Sequence, residues 1–449
     1  MAKSGQVPTV VLRSALRFAA GAAALFCVLA TMDTGSAQAQ TYTVLHSFSG
    51  GAAGANPSAG LTKDAAGNFY GTTAFGGNAG GNCGQSGCGT VFKLTQHNGA
   101  WVLTTLYRFQ GGLDGATPAA RVVFGPDGAL YGTTQQDVTG GGCNLLPCGT
   151  VFSLRPPATV CRAVSCPWSE TVLYHFTGGA DGGFPGYGDL IFDNAGNIYG
   201  TTELGGPLGL GTVYKLTHSN GGWTESVVYN FGGLDGAYPF GGMLFDRAGN
   251  LYGTTAQGGS AYHPPQFNGN GTIFELSPQG SGWVLSAIYC FQANDGELPY
   301  GELPYAALTS DVFGNLFGAA SMGGGGDCTD GNQLYGGCGT LFSFSGGFAE
   351  SLYAFPSFHQ ITSAPGPQAP ITIDSAGSIY GTTNQDGANL FGSVFKFAAG
   401  TYTSLHDFAG GADGAYPVSN VLIDAAGNLY GTASVGGSHG NGAVWEITP

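Results

Sequence analysis

One short stretch, LFDRAGNLYGTT from Leu244 to Thr255, constrains what this chain can fold into, because it returns seven times. The copies end in YGTT at Tyr70, Tyr131, Tyr199, Tyr252 and Tyr380, in FGAA at Phe317 and in YGTA at Tyr430. Successive copies lie 50 to 68 residues apart. Such a period is the mark of a repeat architecture and decides the fold before other signals are weighed.

Each repeat reads as W-x-x-x-x-LYxF, then GGxDGAxP, then GLxxD-xAGN-LYGTT, a Gly-rich loop and GTVFKL, most cleanly from Phe231 to Tyr289. Short β-branched and aromatic runs bounded by Gly, Asp, Asn and Pro are strand-and-turn signatures. Four strands are expected per repeat: A (242–246), B (250–255), C (271–277) and D (283–291) in the copy just named. The A–B link, DRAGN, is a tight hairpin in which Asp accepts backbone N–H bonds and Gly249 can take positive φ. The same turn recurs at Asp64, Asp193, Asp311, Asp374 and Asp424, while the second repeat has GPDGA from Gly125. These aspartates read first as turn formers, not as ligands.

Four-stranded units of this size imply propeller blades. The fold expected is all-β, a single seven-bladed β-propeller of four-stranded blades. Its blades are expected at about 58–109, 119–176, 188–231, 241–291, 305–355, 369–408 and 419–447 plus 42–48. TYTVLHSF (Thr41 to Phe48) is a D-type strand with no A, B or C before it. GAVWEIT, near Pro449, is a C-type strand with no D after it. The strand at 42–48 should therefore complete the C-terminal blade and close the ring. Recurrent Gly in A and B, and bulky aromatics in D, place A innermost; D innermost stays open.

Residues 1–39 are read separately. Lys3, Arg13 and Arg17 precede an apolar run, Phe18 to Ala30, and Ala37-Gln38-Ala39 is a small-x-small cleavage signature. That is the layout of a signal peptide, with an apolar run short of the ~20 residues that span a bilayer. Cleavage near Ala39 and a secreted, periplasmic or cell-surface destination are expected, with no membrane span in the mature chain. The formal net charge is −15 with 9% charged residues. Nucleic acid and anionic membranes call for positive patches, so neither is expected as a partner.

Cys27 lies in the apolar run, and eight of the nine others form close pairs. In an exported chain these read as disulfides: Cys83–Cys88, Cys143–Cys148, Cys161–Cys166 and Cys328–Cys338. Zinc would need two pairs converging, and these are scattered over different blades. Cys290 is left over as a small residue of strand D.

This ordered pattern, AGNLYGTT–GG–GTVFKL–W–LYxF–GGxDGAxP, resembles the Gloeo/Verruco tandem-repeat family over Thr41 to Pro449. It is less closely similar to two-component-regulator and NHL propeller repeats, which share the D-x-x-G-N hairpin. The resemblance implies an exported β-propeller-like protein, often with a cell-surface sorting anchor. The sequence departs there by stopping at its last strand. The family implies no catalytic residues.

Alternating strands put the B–C and D–A loops on one face. Its D–A loops carry Asp114, Asp181, Asp235, Asp295 and Asp413, with Tyr238, Tyr300 and Tyr416 beside some of them. The first repeat has Ala53 in the Asp place, and the sixth has lost the motif. The B–C loops add Asp137, Glu203, Asp327, Asp330 and Asp386. Loops on a rigid scaffold are where binding sites collect, so an acidic, Gly-rich face over the central channel is the candidate ligand surface. D-G followed by Pro is also good turn chemistry. Calcium would suit the carboxylates, but no D-x-D-x-D-G run is present, and neither a metal nor another cofactor is expected.

Three functions remain in view. One is a non-enzymatic exported binder of a glycan or surface protein, the tyrosines stacking on sugars. Another is a hydrolase or lyase acting on polysaccharide, needing two carboxylates about 5–9.5 Å apart. No G-x-S-x-G elbow is present, the eight His do not cluster, and no catalytic residue is assigned. The third is a structural envelope component. A monomer is expected.

Overall fold

A computed structural model describes residues 40–449 apart from 79, 81, 137–147, 158–167, 220, 260–268, 292–300, 325–327, 330–333, 336 and 357–365. Seven four-stranded antiparallel sheets make a seven-bladed β-propeller. In chain order six blades are A-B-C-D, and the seventh takes its D strand from the start of the chain. Blade 4 is typical: A is Leu244–Phe245, B Leu251–Thr255, C Thr272–Gln279 and D Gly282–Cys290. Two further ribbons, Gly301–Glu302 with Met322–Gly323 and Cys328–Thr329 with Leu334–Tyr335, decorate blade 5. The repeat pattern did not announce them.

Ring closure occurs as the orphan strands imply. Thr41–Ser47 pairs antiparallel with Ala443–Thr448, from Thr41 opposite Thr448 to Ser47 opposite Ala443. The Phe48 N–H donates to the Gly442 carbonyl at 2.9 Å. Strand A is innermost: a cavity of about 430 Å³ is lined by Ile191, Thr309, Thr372, Ile373, Leu422 and Ile423, all strand A residues of different blades or neighbours within one. Strand A is only two residues long, shorter than the pattern suggests. The glycines before it lie against the next blade instead: a Cβ on Gly241 would sit 2.8 Å from the Ala306 carbonyl carbon.

The recurrent YGTT can be decoded letter by letter. The Tyr hydroxyl donates to the turn aspartate, as from Tyr70 to Asp64 at 3.0 Å and from Tyr199 to Asp193 at 3.2 Å. That Asp also accepts the N–H groups two and four residues on, Ala66 and Asn68 for Asp64, Ala248 and Asn250 for Asp246. Burial works against the Asp64 charge, but bonds from Asn68, Tyr70 and Ala66 outweigh it and hold the carboxyl below its usual range. The Gly gives room to an aromatic ring of strand C. A Cβ on Gly71, Gly253 or Gly431 would lie 2.6, 2.5 or 2.3 Å from Phe92, Phe274 or Trp445.

The first Thr reaches across the seam to the next blade. Thr72, Thr201, Thr254, Thr382 and Thr432 donate to the carbonyls of Ala120, Gly241, Ala306, Ser419 and Ala59 at 2.8–3.1 Å. The second Thr pairs within its blade with a strand C hydroxyl, as Thr202 with Thr212 at 2.8 Å. Both positions are buried, so each lost bond would leave a desolvated hydroxyl.

Aromatic rings join consecutive blades all round. The Phe closing LYxF meets the strand C aromatic of the following blade edge-on: Phe109–Phe152, Phe231–Phe274 and, at the closing seam, Phe48–Phe92, with centroids 5.1–5.2 Å apart. Such pairs add about 0.5–1.5 kcal/mol each beyond the area they bury. The Pro of DGAxP is a second tie. Pro57, Pro118, Pro239 and Pro417 press on Gly442, Gly89, Gly211 and Gly392 of the preceding blade, where a Cβ would come within 2.3–2.5 Å of the ring. Those glycines also hold φ of 90–97°, which disfavours any side chain.

Candidate functional site

The D–A links and B–C loops share one face, and the D–A links carry the chain from one blade to the next. Before six of the seven prolines sits a non-glycine residue at positive φ: Asn56, Thr117, Phe184, Tyr238, Leu303 and Tyr416, at 53–59°. Left-handed backbone in non-glycine residues costs energy. Its N–H bonds explain why it persists: Tyr238 N donates to the preceding blade's Leu210 carbonyl at 2.8 Å, and its own carbonyl accepts from Ala256.

The sequence-nominated acids belong to the same links. Asp114 accepts from Gln110 N at 2.7 Å, Gly112 N at 3.1 Å and the Tyr107 hydroxyl at 3.0 Å. Asp181 accepts from Thr177 N and the Tyr174 hydroxyl, Asp235 from Gly232 N and the Tyr229 hydroxyl. Asp413 accepts from Ala409 N at 2.7 Å, with His406 Nε2 3.1 Å away. Each is thus tied to the Tyr or His of strand D in LYxF. Tyr238 packs against the core near Phe231, and Tyr416 meets Phe391 edge-on at 5.9 Å. Asp295 and Tyr300 lie outside the described residues, as do Asp137, Asp327 and Asp330. The structure spreads the described nominees over separate blades.

What the fold brings together is different. At the axis on this face a funnel of about 700 Å³ opens, within the range of small-molecule sites, and none of the described nominees lines it. Its walls come from the residues that follow each Pro and the residue after YGTT. Arg121 of blade 2 and Asp189 of blade 3 sit at the neck. Arg121 Nη2 and Nε lie 2.7 and 2.9 Å from Asp189 Oδ2, and its N–H donates to Oδ1 at 3.2 Å. That charge-assisted pair neutralises itself, and among the described residues no other charged side chain lines the funnel.

Aromatic rings form one wall. Tyr187, half exposed at 50%, lies 5.7 Å from Phe240, whose ring meets Tyr305 edge-on at 5.0 Å. Phe75 stands on blade 1. Gln135 is 4% exposed and its Nε2 has no hydrogen-bond partner. Glu203 holds the equivalent position after YGTT in blade 3, with Oε2 buried and unpartnered. Burial pushes its carboxyl up to about 7. Burial, then the Glu203 charge, raises the Tyr305 hydroxyl as well.

Sequence reasoning found the face and Glu203, but none of the side chains that line the funnel. It followed what recurs, and the funnel is built from what does not: the third residue after Pro reads Gly60, Arg121, Gly188, Gly242, Ala307, Pro370 and Asn420. Aligning the repeats and scoring positions by how much they differ would have found it.

Of the predicted disulfides, Cys83–Cys88 is formed, with Cα atoms 5.3 Å apart. Cys148 and Cys338 are also disulfide-bonded. The expectations for Cys143, Cys161, Cys166 and the Cys328 side chain fall outside what is described. Cys290 is a free, half-buried thiol. Among the described residues no three His, Cys, Asp or Glu side chains gather as a metal-binding group, and no helix is long and apolar enough to cross a membrane.

Among solved structures the chain is similar to the extracellular domain of a protein assigned as a hybrid two-component system from B. thetaiotaomicron. Identity is 10%, the TM-score is 0.49, and the match covers 90% of this chain and 39% of that one. It is also similar to a chain assigned as a 6-phosphogluconolactonase from Bacteroides uniformis, at 15% identity, TM-score 0.46, and coverage of 83% and 89%. This chain thus spans about two-fifths of the length of the first. A search of curated proteins finds no match. The Gloeobacter/Verrucomicrobia repeat matches residues 29–165, 147–360 and 314–449, so the chain belongs to that repeat family.

Proposed function

We propose that this is an exported, non-enzymatic binding protein whose ligand occupies the axial funnel of the loop face. The observation that carries the reading is the aromatic wall of the funnel, Tyr187, Phe240 and Tyr305, with the half-exposed ring of Tyr187 lining a cavity open to the outside. The leader-like residues 1–39 and the Cys83–Cys88 bridge support export, since disulfides persist in oxidising compartments. The Arg121 bond pattern ties down Asp189, so among the described residues the funnel lining offers no free acid–base pair for glycoside hydrolysis.

The test compares the wild type with Ser58→Trp, which fills the funnel from blade 1. Both are probed by calorimetry and by product analysis against oligosaccharides, neutral and acidic, and against solubilised peptidoglycan. Binding by the wild type, lost in Ser58→Trp and without cleavage products, is expected. Turnover of any probe, or binding indifferent to the plug, overturns the proposal; a purely structural role would give no binding to either.

A further inference from the structure

Resting on that reading of the funnel, we infer that its ligand is an uncharged saccharide, read by one wall that a single extra residue in blade 3 creates. In six blades the core residue of strand A follows the Pro by four: Pro57 to Leu61, Pro118 to Val122, Pro239 to Met243, Pro304 to Leu308, Pro367 to Ile371 and Pro417 to Val421. In blade 3 the step from Pro185 to Leu190 is five. All seven core residues are buried, between 0 and 5% exposed, so the extra residue cannot be absorbed inward. It loops out over the funnel and carries Tyr187 there.

Two independent marks locate the disturbance. At five other seams the first Thr of the repeat bonds the next blade's carbonyl two residues after Pro. Thr133, which faces blade 3, has no partner for its buried Oγ1. Next to it, Gln135 lies against the same loop, its Nε2 3.0 Å from where a Cβ on Gly186 would be. The insertion thus leaves two buried polar groups, Thr133 Oγ1 and Gln135 Nε2, unpaired behind the funnel wall.

The chemistry of that wall selects the ligand. Tyr187, Phe240 and Tyr305 run along consecutive blades and offer apolar ring surface for the C–H faces of a sugar ring. The Asn420 amide also lines the funnel and can donate to or accept from a hydroxyl. Arg121 and Asp189 cancel, so a uronate or a phosphate would arrive without a free counter-charge, and desolvating it would be costly. Flat apolar surface beside neutral hydrogen-bonding groups suits a neutral pyranose.

The experiment titrates the full chain with neutral hexasaccharides (cello-, laminari-, xylo- and mannohexaose) and with a galacturonate hexamer and a mixed hexapeptide. Binding of at least one neutral probe is expected. Tyr187→Ala and Phe240→Ala should each weaken it tenfold or more, and Asn420→Leu several-fold, whereas Val102→Ala, exposed on strand D of blade 1 and away from the funnel, should change it less than twofold. Deleting Gly186 sets Tyr187 directly after Pro185, as Phe240 and Tyr305 follow their prolines, and should weaken binding several-fold while the melting temperature holds or rises. Preference for the galacturonate or the peptide, lost in Ser58→Trp, would overturn the saccharide assignment and leave the funnel standing. Equal affinities in all variants would overturn the wall. No probe bound by the wild type would overturn both this inference and the binding reading beneath it.

Discussion

The seam between blades 3 and 4 and the seam between blades 2 and 3 are built from the same sequence pattern, yet only the first is complete. At the 3–4 seam Thr201 bonds the Gly241 carbonyl at 3.1 Å, Pro239 seats against Gly211, and Phe231 meets Phe274. At the 2–3 seam Pro185 still seats against Gly149 and Phe176 still meets Tyr214, at 4.9 Å, but Thr133 is unbonded. The two seams therefore share their outer contacts and differ only next to the axis. Regularity holds the ring together; the one broken step is where a distinctive surface can arise.

The comparison can be attacked at three strengths. Gly211→Ala puts a Cβ 2.5 Å from both Pro239 Cδ and the Thr202 carbonyl oxygen at a φ of 94°. It should cost about 3 kcal/mol or more, and Gly149→Ala should match it in thermal denaturation; a mild effect at Gly149 alone would mean that the 2–3 seam is loose throughout. Thr201→Val should cost about 1–2 kcal/mol by leaving the Gly241 carbonyl unbonded. Thr133→Val should be neutral or stabilising, since it removes a hydroxyl that has no partner; equal losses would end the contrast between the seams.

The smallest effect concerns Glu203. Its folded-state pKa, about 7, exceeds the ordinary carboxyl value of 4.5. The protonated form is favoured by the fold, so this contribution is fully present below about pH 4.5 and lost as pH rises through 7. Glu203→Gln should therefore leave the melting temperature unchanged at pH 4 and raise it at pH 8. The gain should be on the order of 1 kcal/mol, less than the full shift implies because the side chain keeps part of its hydration. A gain that is the same at both pH values would mean that charge is not its source.

Most of the architecture was legible because turn chemistry repeats. DRAGN, DGAxP and GT each demand a backbone that few residues supply, and seven copies leave the blade count in no doubt. Ring closure followed from an orphan D strand at one end and an orphan C strand at the other. The loop side of the wheel was legible for the same reason. Asp114, Asp181, Asp235 and Asp413 drew attention as acids near that surface, yet their conspicuous recurrence reflects the Tyr or His each one anchors in strand D. The funnel side chains went unnoticed because Arg121, Gln135 and Tyr187 interrupt the pattern, and a reading that averages over copies discards interruptions. Only the tertiary fold shows that these three share one cavity.

The pairing of Thr41–Ser47 with Ala443–Thr448 has a consequence for the order of events at birth. The first strand of the wheel to be synthesised is the last to find its neighbour, some 400 residues later. Until then it is a bare β-edge, the kind that recruits other chains, and contacts so distant in sequence form slowly. Closing the wheel is therefore the step that waits on both ends of the chain, and removing either end strand would leave an open edge on the closing blade.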